Sequence, residues 1–299
     1  LKDLMKYKNF NKFCHFARIQ LQTKDIDPQF CLLDRFYKMY DVPKKHRLWH
    51  TLIYLTWYHF GSAEEIWRLY PEQRLIKKQH ILPTGKNRRL FRGTNKAVDY
   101  LNGITDKFGD VTMWAEKHIG DGGKGGWVRA REAFEGIHSN GPWSSYKWCD
   151  MLKFVHHYPI TAPDIGDKKG LGAGPIAGLA SLTGLSWQEC ADKKIAMRLY
   201  RKCKHEHGIS LNGLDQLESI LCNWQGVIGG RYYTGHDIDR DQSQLLEDSK
   251  LWRVRPKVYD ECTLGENKKN KWHGIRKEFK VLYRDEGVIY DPYKSQIKK

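Results

Sequence analysis

What the 299-residue chain lacks narrows its class first. It contains no run of eighteen apolar residues, so no segment reads as a membrane-spanning helix. Its opening stretch, "LKDLMKYKNFNKFCHF", has neither the apolar core nor the small-residue cleavage site of a secretory signal. The seven cysteines, at 14, 31, 149, 190, 203, 222 and 262, are odd in number and far apart. That spacing suits neither a disulfide framework nor a clustered metal set, and reduced thiols in a cytosolic protein are expected. Strand-like alternation is scarce, with "KVLYRDEGVIYD" near the C-terminus as the best hairpin candidate. Acidic residues are also in short supply: 35 Asp and Glu face 51 Lys and Arg, a net charge of +16. A neutral metabolic substrate gives no reason for such a field, whereas a polyanion does.

Aromatics are plentiful, with 11 tryptophans and 16 tyrosines interleaved with the basic residues, a mixture suited to unstacked bases. The patterning is mostly helical. Leu48, Leu52, Leu55 and His59 recur at helical spacing within a helical stretch from 29 to 70, and another helix is expected at about 95–108. The cluster "GDGGKGG" (120–126) reads as a loop, followed by a helical stripe of Trp127, Ala130, Phe134 and Ile137. Pro142 opens a further helix, "PWSSYKWCDMLKFV", whose apolar line is Tyr146, Cys149, Leu152 and Val155, with Lys147 and Asp150 directed elsewhere. Ser186 to Glu189 forms a capping box ahead of Trp187, Ala191, Ile195 and Leu199. Asn212 is placed to cap a helix striped by Leu214, Leu217, Leu221 and Trp224. These patterns predict a mostly α fold with a small irregular or β-containing C-terminal extension. The expected division is an N-terminal helical region (1–110), a catalytic region (111–250) and a basic extension (251–299), packed as one body.

Three weaker motifs carry little. "PTGKNRRLFRGTNK" (83–96) holds a Gly-Lys but not the spacing or hydroxyl of a phosphate-binding loop. "CKHEH" (203–207) turns its residues in different directions on a helix and has no second ligand pair, so no metal is expected there. The two histidines of "VHHYP" (155–159) stand at a helix end, where as cations they would complement the dipole.

Two stretches carry more. The run from Gly172 to Ala180, "GAGPIAGLA", has the form of the glycine turn in a helix-hairpin-helix element. Residues without side chains let backbone N–H groups approach a phosphate, and the helix that follows adds its positive end. Gly170, Gly172 and Gly174, with Lys168 and Lys169 upstream, are the candidate DNA-backbone contacts. Small residues equally permit close helix packing without a ligand. The second stretch, "GGRYYTGHDIDRDQ" (229–242), packs charge around two tyrosines in a way that fits neither a solvated loop nor a core strand.

The hairpin resembles that of the helix-hairpin-helix DNA glycosylase superfamily, with departures. The position of the lyase lysine is occupied by Ile176, and the position of the superfamily's aspartate by Lys194, with Asp192 two residues away. "GPWSSYKWCDML" (141–152), the hairpin and "NWQGVIGGRYYTGHDIDRDQ" (223–242) together resemble the phage amino acid:DNA transferases, the alpha-glutamyl/putrescinyl thymine pyrophosphorylases of thymidine hypermodification. The resemblance implies a DNA-binding enzyme, working in the cytoplasm of an infected bacterial host. It would replace the pyrophosphate of 5-(pyrophosphoryloxymethyl)uracil in double-stranded DNA with a free amino acid or amine. It implies no required cofactor, with Mg2+ accompanying the pyrophosphate at most.

Residue types match those demands. An extruded base needs apolar walls, for which Trp143, Trp148, Tyr232 and Tyr233 are candidates. Pyrophosphate needs cations, here Lys147 and Arg231, with Asp150 in the same set. An attacking amine needs a base, supplied by His236, Asp237 or Asp239. The two aspartates, two positions apart, could instead hold a divalent ion, and Arg231 or Arg240 could form a purely structural salt bridge to Asp239. The rival expectations are a glycosylase acting on a modified base and a non-catalytic phage DNA-binding accessory protein.

Overall fold

The computed structural model describes residues 7–24, 26, 30–85, 96–137, 139–166, 171–229 and 232. Among them the regular structure is helical, apart from one isolated parallel bridge between Gly123 and Ile160, in line with the mostly α expectation. The terminal hairpin candidate and most of the loop at 83–96 lie outside the described residues. No helix among the described residues is long and apolar enough to cross a membrane. The described residues divide into two compact units.

One unit spans Gln29–Pro163. With α1 (Phe10–Thr23) in the other unit, it holds in chain order α2 (Phe30–Met39), α3 (Lys44–Trp57), α4 (Phe60–Leu69), α5 (Ala97–Phe108), α6 (Val111–Ile119), α7 (Gly123–Glu135) and α8 (Pro142–Phe154). Its interior is aromatic. Trp148 of α8 stacks on Phe134 of α7 at 5.4 Å and also meets Phe108 and Trp114. Flat rings in offset contact bury large apolar areas with few rotamers to freeze, so four such residues suffice to lock α5–α8 together. Gly126 is needed here, because a Cβ would lie 2.6 Å from the Ile119 carbonyl oxygen. The glycine cluster at 120–126 is therefore only in part a loop: α7 begins at Gly123, and the backbone contact at Gly126 draws it against α6.

A second aromatic group gathers Phe36, Phe60 and Trp67 around His50. Burial pushes the His50 imidazole down to about 3, so it is neutral. His156 is held at about 3 in the same way, and its Nε2 bonds the Thr51 hydroxyl at 2.8 Å. A neutral imidazole offers nothing to a helix dipole, which corrects the sequence expectation for His156. Glu64 sits in α4 at helical spacing from Phe60 and Trp67, with Oε2 buried and without a hydrogen-bond partner among the described residues. Burial first, then the charge on Glu65, raises its carboxyl to about 7, partly opposed by Arg68. The folded chain thus holds a proton there that the unfolded chain has released. Stability contributed by that proton is complete below the ordinary carboxylate range and is lost as pH rises toward 7. Glu64→Gln should match the wild type in thermal melts near pH 4 and exceed it above pH 7, by roughly 3 kcal/mol at most. The histidine contributions cancel in that difference. A difference that stays flat across this range would place the Glu64 carboxylate in water.

The other unit joins α1 to the described residues of Asp164–His236: α9 (Ala173–Thr183), α10 (Trp187–Cys190), α11 (Lys193–Arg201), a π-helical turn (Lys202–Glu206) and α12 (Leu214–Ile228). The glycine run explains the close seam between α9 and α12. A Cβ on Gly178 would fall 2.1 Å from the Leu221 carbonyl oxygen, and one on Gly174 would fall 2.5 Å from Cys222 Sγ. At Gly178 backbone meets backbone and no larger residue fits, whereas Gly174 is pressed against the Cys222 side chain. Phe13 and Phe16 of α1 bracket Trp224 of α12 at 5.6 and 5.7 Å, and Asn223 bonds Gln20 and the Ile26 carbonyl. The Ser186 capping box forms as expected. The helix expected behind it is broken, because Asp192 accepts from the Lys194 N–H and starts a new helix. Trp187 is left exposed as a result. Similarly, Gly213 and not Asn212 precedes α12, and the Asn212 N–H instead donates to the Gln216 side chain.

Candidate functional site

The segment "GPWSSYKWCDML" folds into most of α8, and its polar residues are not where amphipathic spacing puts them. Lys147 and Asp150 were expected to point away from the apolar line, yet they are 4% and 1% exposed. Lys147 Nζ donates to Asp150 Oδ2 at 3.2 Å and lies 5.6 Å from the centre of the Tyr146 ring. Burying an ammonium and a carboxylate costs several kcal/mol each unless they compensate one another, so the pair is a specified feature of α8.

Around this pair the helix is closely fixed. Pro142 occupies the first turn, Ser144 and Ser145 bond the Gly141 carbonyl at 3.0 and 2.9 Å, and Cys149 donates its thiol to the Trp127 carbonyl at 3.8 Å. Burial, reinforced by the Asp150 charge, pushes the Cys149 thiol up, which leaves it an inert packing group. Trp143, one turn ahead of Lys147, is half-buried and rests on the Tyr58 ring at 5.3 Å. It retains an open side, as a residue that stacks on a base must. Trp148 does not: it is fully buried in the α5–α8 core, so its expected place in a base pocket gives way to packing.

In the other unit, Gly172 precedes α9 with no side-chain cap, is exposed, and would meet nothing closer than Pro175 Cδ at 3.7 Å if it carried a Cβ. The first-turn N–H groups of an uncapped helix keep their donors available for an anion. Gly174 is occupied differently, pressed against Cys222, so the packing alternative accounts for it. Among the described residues, the stretch 157–166 ahead of the glycine turn contains no helix. Tyr232 is half-buried and turns back on α12, its N–H donating to the Gly226 carbonyl at 3.2 Å. A Cβ on Gly226 would lie 2.7 Å from Tyr232 Cβ, which explains the glycine ahead of the tyrosine pair. Lys168, Lys169, Gly170, Arg231, Tyr233, His236, Asp237 and Asp239 lie outside the described residues.

Arg131 and Asn140 are among the buried polar residues that escaped the sequence reading. Arg131 of α7 is 8% exposed, as is Asn140 in the link to α8. Arg131 stands four residues after Trp127, within the apolar stripe, and a charge in that position was the available signal.

These features define a basic, mostly helical protein that holds ionic groups in its interior. The amino acid:DNA transferase family matches residues 77–232, just over half of the chain, and the protein belongs to that family. The family description names an amino acid and DNA as the partners of a transferase. No curated protein matches the chain.

Proposed function

We propose that the protein couples a free amino acid or amine to an activated thymine within double-stranded DNA, with 5-(pyrophosphoryloxymethyl)uracil as the activated base. The observation that carries this reading is the Lys147–Asp150 pair, buried inside a segment of the family match. In the reaction the amine nitrogen forms a bond to the 5-methylene carbon. The carbon–oxygen bond breaks, and pyrophosphate departs with the electron pair. The amine loses a proton to a base, the role given to His236, Asp237 or Asp239. By residue type, Lys147 and Arg231 suit the charge of the departing group, and Trp143, Tyr232 and Tyr233 suit an extruded base. Gly172 and the basic residues 168 and 169 hold the DNA backbone. A displacement of this kind changes no oxidation state, so it needs no redox cofactor, and magnesium would at most accompany the pyrophosphate. A phage origin and the cytoplasm of the infected host belong to the same reading.

The test is mass spectrometry of nucleosides from DNA incubated with the protein and glycine, serine, glutamate or putrescine. Pyrophosphorylated DNA should yield one amine-bearing nucleoside per pyrophosphate released, while thymine and plain 5-hydroxymethyluracil remain unchanged because hydroxide leaves poorly. Release of free base would make the protein a glycosylase. Binding with no covalent change in any of these substrates would make it an accessory factor.

A further inference from the structure

α11 divides its residues sharply by face. Ala196 and Leu199 are buried, and Cys203 continues that line into the π-helical turn. On the opposite side Lys194, Arg198 and Arg201 recur at spacings of four and three residues, and all three are exposed. Asp192 caps the helix by accepting from the Lys194 N–H at 2.9 Å, so the cationic row stands on a fixed element.

Acids that would neutralise this face are absent from it. Residues 193–205 include six Lys and Arg and no Asp or Glu. Lys193 and Lys202, which flank the row, are paired with Asp164 at 2.5 Å and with Glu206 at 2.7 Å. Lys204 is held by the Tyr200 hydroxyl at 3.3 Å. The side chains of Lys194, Arg198 and Arg201, in contrast, have no ion pair among the described residues. A helix face that serves solubility alone mixes charges of both signs, and this one does not.

The form of the face selects the partner. An exposed row without walls cannot enclose a small anion. A polyanion needs no enclosure, because each neutralised phosphate releases its condensed counterions. The row spans about 10 Å of helix, and a DNA strand offers one charge about every 3.4 Å along its axis. A membrane surface fits less well: an interfacial helix inserts its apolar side, and that of α11 is already buried in the fold.

We propose that Lys194, Arg198 and Arg201 form a DNA-backbone contact on α11, separate from the glycine turn ahead of α9. Phosphate is the group it holds, so the contact is indifferent to sequence and to base modification. The choice of DNA among polyanions rests on the reading of DNA as the substrate; the contact does not depend on amine transfer.

Titration of the full chain with a short unmodified duplex over a range of salt concentrations tests it. Replacing all three residues, as Lys194→Gln, Arg198→Gln and Arg201→Gln together, should lower the slope of log K against log salt by about 2–3. Each single change should lower it by about 1, and the triple change should weaken binding at least about tenfold at physiological salt. Lys107→Gln, Lys117→Gln and Lys124→Gln together remove the same charge from exposed positions of the other unit and should leave the slope unchanged. Should the triple α11 variant fail to fold, the single variants decide alone. An unchanged slope in the folded α11 variants would refute the contact and make this a solvated face. An equal fall in the control variant would refute it too, because net charge alone would then be acting. Lost binding to phosphatidylserine vesicles, with duplex binding intact, would make the partner a membrane and overturn the proposal. A wild type that binds no duplex would overturn the contact and the transfer reading together. One that binds duplex through α11 but installs no amine would overturn the transfer reading and leave the contact standing.

Discussion

Asp150→Ala should destabilise the protein by roughly 3–5 kcal/mol, whereas removing both Lys147 and Asp150 should cost far less. The single change strands an ammonium in an interior where it is 4% exposed. Water reaches it poorly and desolvation dominates. Replacing both residues by apolar ones of similar volume, as in Lys147→Met with Asp150→Val, removes attraction and desolvation together. That variant should unfold in denaturant within about 1–2 kcal/mol of wild type. If the pair also serves the proposed transfer, the stable double variant should lose turnover by about a hundredfold or more. A double variant that is both stable and active would make the pair dispensable. A single variant with unchanged stability would mean that the Lys147 ammonium finds water or another partner.

The helices were legible because their signals are local. Ser186 with Glu189 specifies its own cap, Pro142 its own first turn, and the stripe of Trp127, Ala130 and Phe134 its own buried face. What failed was chiefly inference needing a second element. Amphipathic spacing assumes that charges face water, so it turned Lys147 and Asp150 outward; α8 is in fact buried on most of its circumference. The same assumption hid Arg131. Trp148 was given to a base pocket on residue type alone, and only the approach of Phe108, Trp114 and Phe134 shows that its faces are covered. Asp192 breaks an otherwise continuous helical pattern because a carboxylate can accept from an N–H two residues on, and that competes locally with helix continuation.

The glycine run allows packing and DNA contact to be separated residue by residue. Gly178→Ala places a methyl 2.1 Å from the Leu221 carbonyl oxygen, less than the distance at which carbon and oxygen can coexist. Neither atom belongs to a flexible side chain, so α9 and α12 must move apart along a seam that includes the buried Leu179, Ile220 and Leu221. Overpacking of this kind costs about 1–3 kcal/mol, and more when only backbone can yield. Gly178→Val should therefore leave this unit unfolded at ordinary temperature. Gly172→Ala meets no such obstacle: its nearest new neighbour is 3.7 Å away, and its φ of −66° suits any residue. It should melt within a few degrees of wild type. On the hairpin reading, however, its methyl stands where a phosphate would approach the first turn of α9, and affinity for duplex DNA should fall about tenfold. Duplex titration of both variants, alongside thermal melts, separates the two roles. Unchanged DNA affinity in a folded Gly172→Ala protein would mean that the run serves helix packing alone, and the DNA backbone must then be held by other groups.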